Sequence, residues 1–259
     1  MNKKIGVGII TCNRKHFFEE CYKSLPSYID EIIVVNDGTE HLDDIPRGEI
    51  LQGNGGKQVG KSKNIAMQYL LDKNCDYIFT LEDDIKIKDP MVFKNYIVAS
   101  VETKIQHFNF GFSQKENLDS NLNPVLKRII DYKDCKLVLT HNILGAFTFY
   151  TREALQTIGL HHYLFNKGHG DHPELTYRAY KHGFTTPFWW FADIYNSWEM
   201  IENQSNMGDD SLVRNQKNMR ENFNEACSIF KYLHGVSMLE VPHASEQEVI
   251  QLLKQLKNR

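Results

Sequence analysis

The strongest constraint on the fold lies in the first ninety residues, where short apolar runs, each closed by polar residues, alternate with stretches of helical spacing. That rhythm marks βαβ units feeding a mostly parallel sheet. Residues 4–11 read as a first strand. Residues 14–25 follow as a helix, with Phe17, Phe18, Cys21, Tyr22 and Leu25 near helical spacing and Pro26 at its end. Residues 31–35 are a second strand, closed by the turn residues Asn36, Asp37, Gly38 and Thr39. The glycine-rich stretch 48–60 reads as a long loop and 62–72 as an amphipathic helix. A third strand, 76–81, runs directly into Glu82, Asp83 and Asp84. In open α/β sheets ligands bind beyond the carboxyl ends of the strands, so these three polar exits are expected to converge on one crevice, a nucleotide site.

The second half is less regular. Strands are expected at 136–139 and 146–150, helices at 152–158 and 173–182, an aromatic strand at 187–192, and a mobile polar loop at 202–210. The expected organisation is one α/β domain over residues 1–199, with a nucleotide-binding half (1–90) and an acceptor-side half (91–199). A helical appendage over 200–259 completes it. In that appendage, residues 246–256 place Val249, Ile250, Leu252, Leu253 and Leu256 on about one face, suited to packing on the body.

Charge narrows the partners. Thirty Lys and Arg against 33 Asp and Glu leave a net charge of −3, so no global field attracts nucleic acid or anionic lipid. No stretch approaches the ~20 apolar residues of a membrane span. The chain is expected to be cytoplasmic, or peripheral to a membrane surface. Cys12, Cys21, Cys75, Cys135 and Cys227 form no CxxC pair, which argues for free thiols over a zinc site or disulfide framework.

The acidic run after the third strand carries the chemistry. Three adjacent carboxylates repel one another unless a cation or a helix terminus compensates them. Hard divalent cations suit such a site, because Mg2+ or Mn2+ takes oxygens from one or two carboxylates and shares the rest with water and a diphosphate. A solvated turn or a helix cap is the plain alternative.

With the other segments in place, the chain resembles family 2 glycosyltransferases and related GT-A (nucleotide-diphospho-sugar transferase) enzymes over residues 4–195. The opening VGIITCNRKHFFEECYKSL is similar to that family's first strand and helix, which implies that Thr11, Asn13 and Arg14 hold base and ribose. IIVVNDGT resembles the second-strand signature whose aspartate, here Asp37, contacts the base. GKSKNIAMQYLL resembles the glycine, basic residue and asparagine near the diphosphate, matching Gly60, Lys63 and Asn64, with lysine where arginine is usual. FTLEDDIKI matches the DxD motif as an EDD variant. It implies Asp84 as the Mn2+ or Mg2+ ligand, with Glu82 and Asp83 assisting through water or ribose.

The segment from Gly145 to Phe184 resembles the acceptor-side module that ends in an acidic pair holding the catalytic base. Here the loop reads Gly170, Asp171, His172, Pro173, Glu174, so histidine stands where the second acid is usual. Asp171 is the expected base and His172 its rival. Either His172 or His169 could complete a metal shell. Trp189 and Trp190 are candidates for a sugar-stacking platform, against the ordinary role of aromatic strands as core.

The resemblance thus implies a hexosyl- or pentosyltransferase that moves sugar from a nucleotide donor, a UDP-sugar, with inversion. The acceptor could be a glycan, a lipid-linked sugar or another hydroxyl, with nucleic acid disfavoured by the acidity. Two other readings stay open. One is a nucleotidyltransferase acting on sugar phosphates, although Gly6 and Gly8 fall too early for a triphosphate loop. The other is a catalytically inactive nucleotide- or glycan-binding protein.

Overall fold

The computed structural model describes residues 3–53, 55, 58–113, 115–205 and 217–258. Its elements run β1 (Ile5–Thr11), α1 (Lys15–Ser24), β2 (Glu31–Asn36), β3 (Glu49–Gln52), α2 (Val59–Asp72), β4 (Tyr77–Glu82), β5 (Ile85–Ile87) and α3 (Val92–Thr103). There follow β6 (His107–Asn109), β7 (Arg128–Asp131), β8 (Lys136–Thr140), β9 (Phe147–Thr151), α4 (Arg152–Ile158) and α5 (Asp171–Lys181). The chain ends with β10 (Phe191–Ile194), α6 (Ser197–Met200), β11 (Ile201–Asn203), α7 (Met219–His234) and α8 (Glu246–Lys257). No described helix is long and apolar enough to cross a membrane.

Six strands form the central sheet in the order β3-β2-β1-β4-β9-β6. The first four are parallel, as the βαβ rhythm predicts, and β9 runs antiparallel to both neighbours. A second, antiparallel sheet orders β10-β8-β7, and β11 pairs with β5.

Alternation along β1 explains how the layers meet. Val7 and Ile9 enter one core with Phe18 and Cys21 of α1, Phe93 and Tyr96 of α3, and Val249, Leu253 and Leu256 of α8. On the opposite face, Ile10 packs with Ala66, Met67 and Leu70 of α2. Gly6 and Gly8 face α2 as well. A Cβ on Gly8 would stand 2.7 Å from the Ala66 Cβ, and one on Gly6 would stand 2.7 Å from Cys75 Sγ. The two glycines therefore set how closely α2 lies on the sheet.

Several expectations need correction. The stretch 48–60 is not one loop, because Glu49–Gln52 pairs in parallel with β2 and the helix already begins at Val59. β3 is an edge strand with mostly exposed side chains, so it lacks an apolar signal. The aromatic strand begins at Phe191, since Pro187 to Trp190 makes a turn in which Trp190 N donates to Pro187 O and Trp189 adopts φ 73°. The α5 helix starts at Asp171 behind a left-handed Gly170, before its expected start at Pro173. Glu202 and Asn203 belong to β11, while residues 206–210 of the expected mobile loop lie outside the described residues.

Residues beyond 199 share in the body. α8 sits in the same core as β1, and Phe230 of α7 packs against Tyr177 and Phe188. Both indole N–H groups of Trp189 and Trp190 donate to this segment, at Val241 O and Ala244 O, each at 2.9 Å.

Asp193 knits the second sheet to the rest. Its carboxylate is wholly buried and accepts from Tyr96 Oη (2.5 Å), Ser197 Oγ (2.7 Å), Ile194 N (2.8 Å) and Gly111 N (3.0 Å). Burial nevertheless pushes it up to about 6, against the pull of these donors.

Two stability measurements test this packing. Gly8→Val should cost about 1–3 kcal/mol in urea unfolding by forcing α2 off the strand, and an unchanged midpoint would refute the close contact. Because the Asp193 carboxyl titrates higher folded than unfolded, its contribution to stability falls as pH rises from about 4 to about 6. Asp193→Asn should flatten that part of the stability profile, by up to about 3 kcal/mol across the window.

Candidate functional site

Parallel register brings the three strand exits level. Thr11 lies opposite Asn36, and Ile10 lies opposite Glu82. Asp37 N donates to Thr11 O at 2.8 Å and Asp83 N to Ile10 O at 3.1 Å, so the loops leave the sheet stitched together. Asn13, at φ 53°, accepts at Oδ1 from Thr39 N (2.8 Å) and Glu40 N (2.9 Å). A Cβ on Gly38 would lie 2.5 Å from Asn13 N, which restricts that turn to glycine. Asp37 Oδ2 accepts from Gln58 N at 2.7 Å and so ties the second exit to the start of α2.

The acidic triplet splits its roles. Asp83 is fully buried and accepts from Thr11 Oγ1 at 2.7 Å. Arg14 reaches across from the first exit: Nε donates to Asp83 Oδ2 at 3.3 Å, Nη2 pairs with Asp83 Oδ1, and Nη1 meets Asp84 Oδ2 at 3.2 Å. Burial pushes the Asp83 carboxyl up to about 7 against the guanidinium. Burial and the Glu82 charge also raise Asp84, with Arg14 opposing. Asp84 is 5% exposed, and its Oδ1 is buried with no hydrogen-bond partner among the described residues.

Glu82 turns toward a second cluster. Lys63, 2% exposed, donates to Glu82 Oε1 and Gly145 O, both at 2.8 Å. Burial works against the Lys63 charge, yet Glu82 and Asp171 outweigh it and raise the lysine above its ordinary value. The lysine expected at the diphosphate therefore serves as the internal partner of Glu82. Because β9 is antiparallel, its start lies at this same edge, where Glu82 N donates to Ala146 O at 2.8 Å.

Asp171 and His172 complete the cluster. The starts of α2 and α5 touch, since a Cβ on Gly60 would lie 3.4 Å from the Asp171 Cβ. Gly145 sits under the His172 ring, where a Cβ would come within 2.9 Å of Cγ and Nδ1. Asp171 is 1% exposed, and the His172 side chain engages its carboxylate through a long contact. His172 Nδ1 stands 3.4 Å from Asp171 Oδ1, with the histidine side chain 23% exposed. Burial raises the Asp171 carboxyl, but His172, His161 and Lys63 together hold it below the usual carboxylate range. His161, whose Nδ1 lies 3.1 Å from Asp171 O, is pushed down to about 4 by burial. Sequence reasoning missed Gly145 and His161, neither of which carries a signal in one sequence.

Other expected residues fall elsewhere. Asn64 is a backbone clamp: its Nδ2 donates to His161 O and its Oδ1 accepts from His161 N, both at 2.8 Å. His169 borders a cleft between residues 164–169 and α7, lined also by Phe165, Asn222 and Glu225. No hydrogen bond or ion pair among the described residues joins it to Asp84, although it lies within electrostatic reach of Asp171 and His172. Trp189 stacks on His243 at 5.0 Å, and Lys127 Nζ lies 4.5 Å over the Trp190 ring, so both indoles face the C-terminal segment and the second sheet.

Among the described residues no three His, Cys, Asp or Glu side chains gather to hold a metal ion. A divalent cation here would need oxygens beyond those the described residues gather. The unpartnered Asp84 Oδ1 fits such a shared site, because one or two carboxylates plus diphosphate and water are an ordinary Mg2+ complement.

No family model matches the chain, and no curated protein matches it. Solved structures do. S. aureus TarS (residues 1–349) superposes with a TM-score of 0.53 at 15% identity, covering 98% of this chain and 71% of that one. The mannosyltransferase PcManGT from Pyrobaculum calidifontis, in complex with GDP-Man and Mn2+, gives 0.41 at 10% identity, covering 62% of this chain and 48% of that one. The likeness to TarS runs through nearly the whole chain and shows a shared mixed α/β fold with a mostly parallel central sheet.

Proposed function

We propose that this chain is a metal-dependent glycosyltransferase with a GT-A-type fold, which moves a sugar from a nucleoside diphosphate donor, a UDP-sugar, to an acceptor hydroxyl. One observation carries the reading. A buried acidic pair with an unsatisfied oxygen, Asp83–Asp84, and a second pair, Asp171–His172, lie at one sheet edge, joined through Glu82 and Lys63. The fold shared with TarS, a glycosyltransferase, supports it.

The nucleoside would lie against the exits of β1 and β2, at Thr11, Asn13 and Asp37. Its diphosphate would approach the start of α2 near Gly60, where the helix dipole favours anions. Asp84 would hold a divalent cation, which would supply Lewis-acid stabilisation of the leaving group. Lys63 keeps Glu82 ionised, and Asp83 is too deep to touch ligand, so it acts by holding Arg14.

Burial shifts the choice of base. Asp171 is closed in, with Oδ2 near Gly60 and Oδ1 facing His172, whereas His172 is open on its outer side. His172 Nε2 takes the acceptor proton as the hydroxyl attacks. Asp171 orients the ring through Nδ1 and, with Glu82, stabilises the imidazolium that forms. Direct displacement with one base inverts the anomeric carbon.

Titration calorimetry with UDP, with and without Mn2+, tests the donor site. Binding should require the metal and be lost in Asp84→Asn, whereas metal-independent binding in both proteins would refute the reading. Turnover of UDP-sugars, with water or a glycan as acceptor, tests the base. His172→Gln should lower kcat by about 10²–10⁴ with UDP affinity unchanged. Full loss in Asp171→Asn with an active His172→Gln would return the base to Asp171. NMR of the product should show the inverted anomer.

A further inference from the structure

Arg14 occupies an unusual place for a residue at a nucleotide crevice. Its guanidinium lies on the acidic pair: Nε and Nη2 are on Asp83, and Nη1 is 3.2 Å from Asp84 Oδ2. The side chain is 15% exposed, and Cζ stands 5.5 Å from the Phe17 ring centroid. Asp84 thus has one oxygen paired with Arg14 and one buried oxygen without a hydrogen-bond partner of ordinary geometry among the described residues, with the Ser205 side chain close by.

We propose that Arg14 is the built-in counter-cation of the Asp83–Asp84 pair, and that a divalent cation binds Asp84 by displacing the Arg14 Nη1 contact. This rests on the nucleotide-sugar reading above and adds a coupling to it. Two cations on one buried carboxylate repel one another, so a cation taken at Oδ1 loosens the Arg14 Nη1 contact at Oδ2 and favours its release. The released N–H donors then need an acceptor. A diphosphate arriving with the cation supplies one, since guanidinium forks match phosphate oxygens well. Asp83, itself held by the Thr11 hydroxyl, retains the other side of the guanidinium and keeps it at the crevice.

The consequence is reciprocal. Cation alone loses the Arg14 contact without replacing it, whereas cation and nucleoside diphosphate together restore it. Each therefore raises the affinity for the other by the same factor. Removing the guanidinium should free Asp84 for the cation and weaken that coupling.

Mn2+ binding to the full chain, read from the electron paramagnetic resonance of free Mn2+ with and without UDP, tests this without turnover. Arg14→Gln should bind Mn2+ alone roughly tenfold tighter than wild type, and the gain conferred by UDP should shrink by a similar factor. Asp83→Asn, which leaves the guanidinium to Asp84, should bind Mn2+ alone more weakly than wild type. If Arg14→Gln fails to fold, Arg14→Lys takes its place, since an ammonium cannot span both carboxylates and should move both readings the same way. Unchanged or weaker Mn2+ binding in the folded Arg14 variant, with the UDP coupling intact, would overturn the counter-cation role and leave the donor reading standing. Absence of Mn2+ binding in every protein, even with UDP, would overturn both.

Discussion

Charge balance at the carboxyl edge of the central sheet is the condition on which the site rests. Parallel register delivers Asp37, Glu82 and Asp83–Asp84 to that edge, and the start of α5 adds Asp171. So many carboxylates cannot be withdrawn from water together without counter-charge. Arg14 from the first exit and Lys63 from the second turn of α2 supply it. Each cation bridges elements distant in sequence, so the electrostatics and the topology hold one another in place. His172, between Asp171 and Glu82, adds a third basic group at the same point.

Much of the first half was legible because its elements are short and sharply punctuated. The strand at residues 4–11, the helix ended by Pro26 and the strand running into the acidic triplet all stand within a residue or two of their expected ends. Convergence of the three exits followed from the βαβ rhythm alone. α3 was not legible. Val98 and Val101 are exposed and β-branched, which blurs the apolar stripe formed by Val92, Phe93, Tyr96 and Ala99. β3 and β6 are too short, and β3 too exposed, to carry a strand pattern.

Within the site, residue types were legible and their engagements were not. A lysine followed by an asparagine at the start of a helix gives no sign that the lysine points inward to Glu82, or that the asparagine grips the His161 backbone. Nor could sequence tell that two tryptophans would commit their N–H groups to residues 241–244. Such facts depend on which side of an element meets a segment a hundred residues away. Glycine at 145 is the sharpest case, since its importance lies wholly in the His172 ring above it.

The sharing of one core by β1 and α8 also bears on how the molecule is made. Val7 and Ile9 of β1 and Val249, Leu253 and Leu256 of α8 belong to one apolar cluster although they lie far apart in the sequence, and α8 packs on α3 within it. Contacts of such wide sequence separation slow folding, because the loop between them must close before they contribute. Until α8 docks, the apolar side chains it covers are a surface for chaperones to shield.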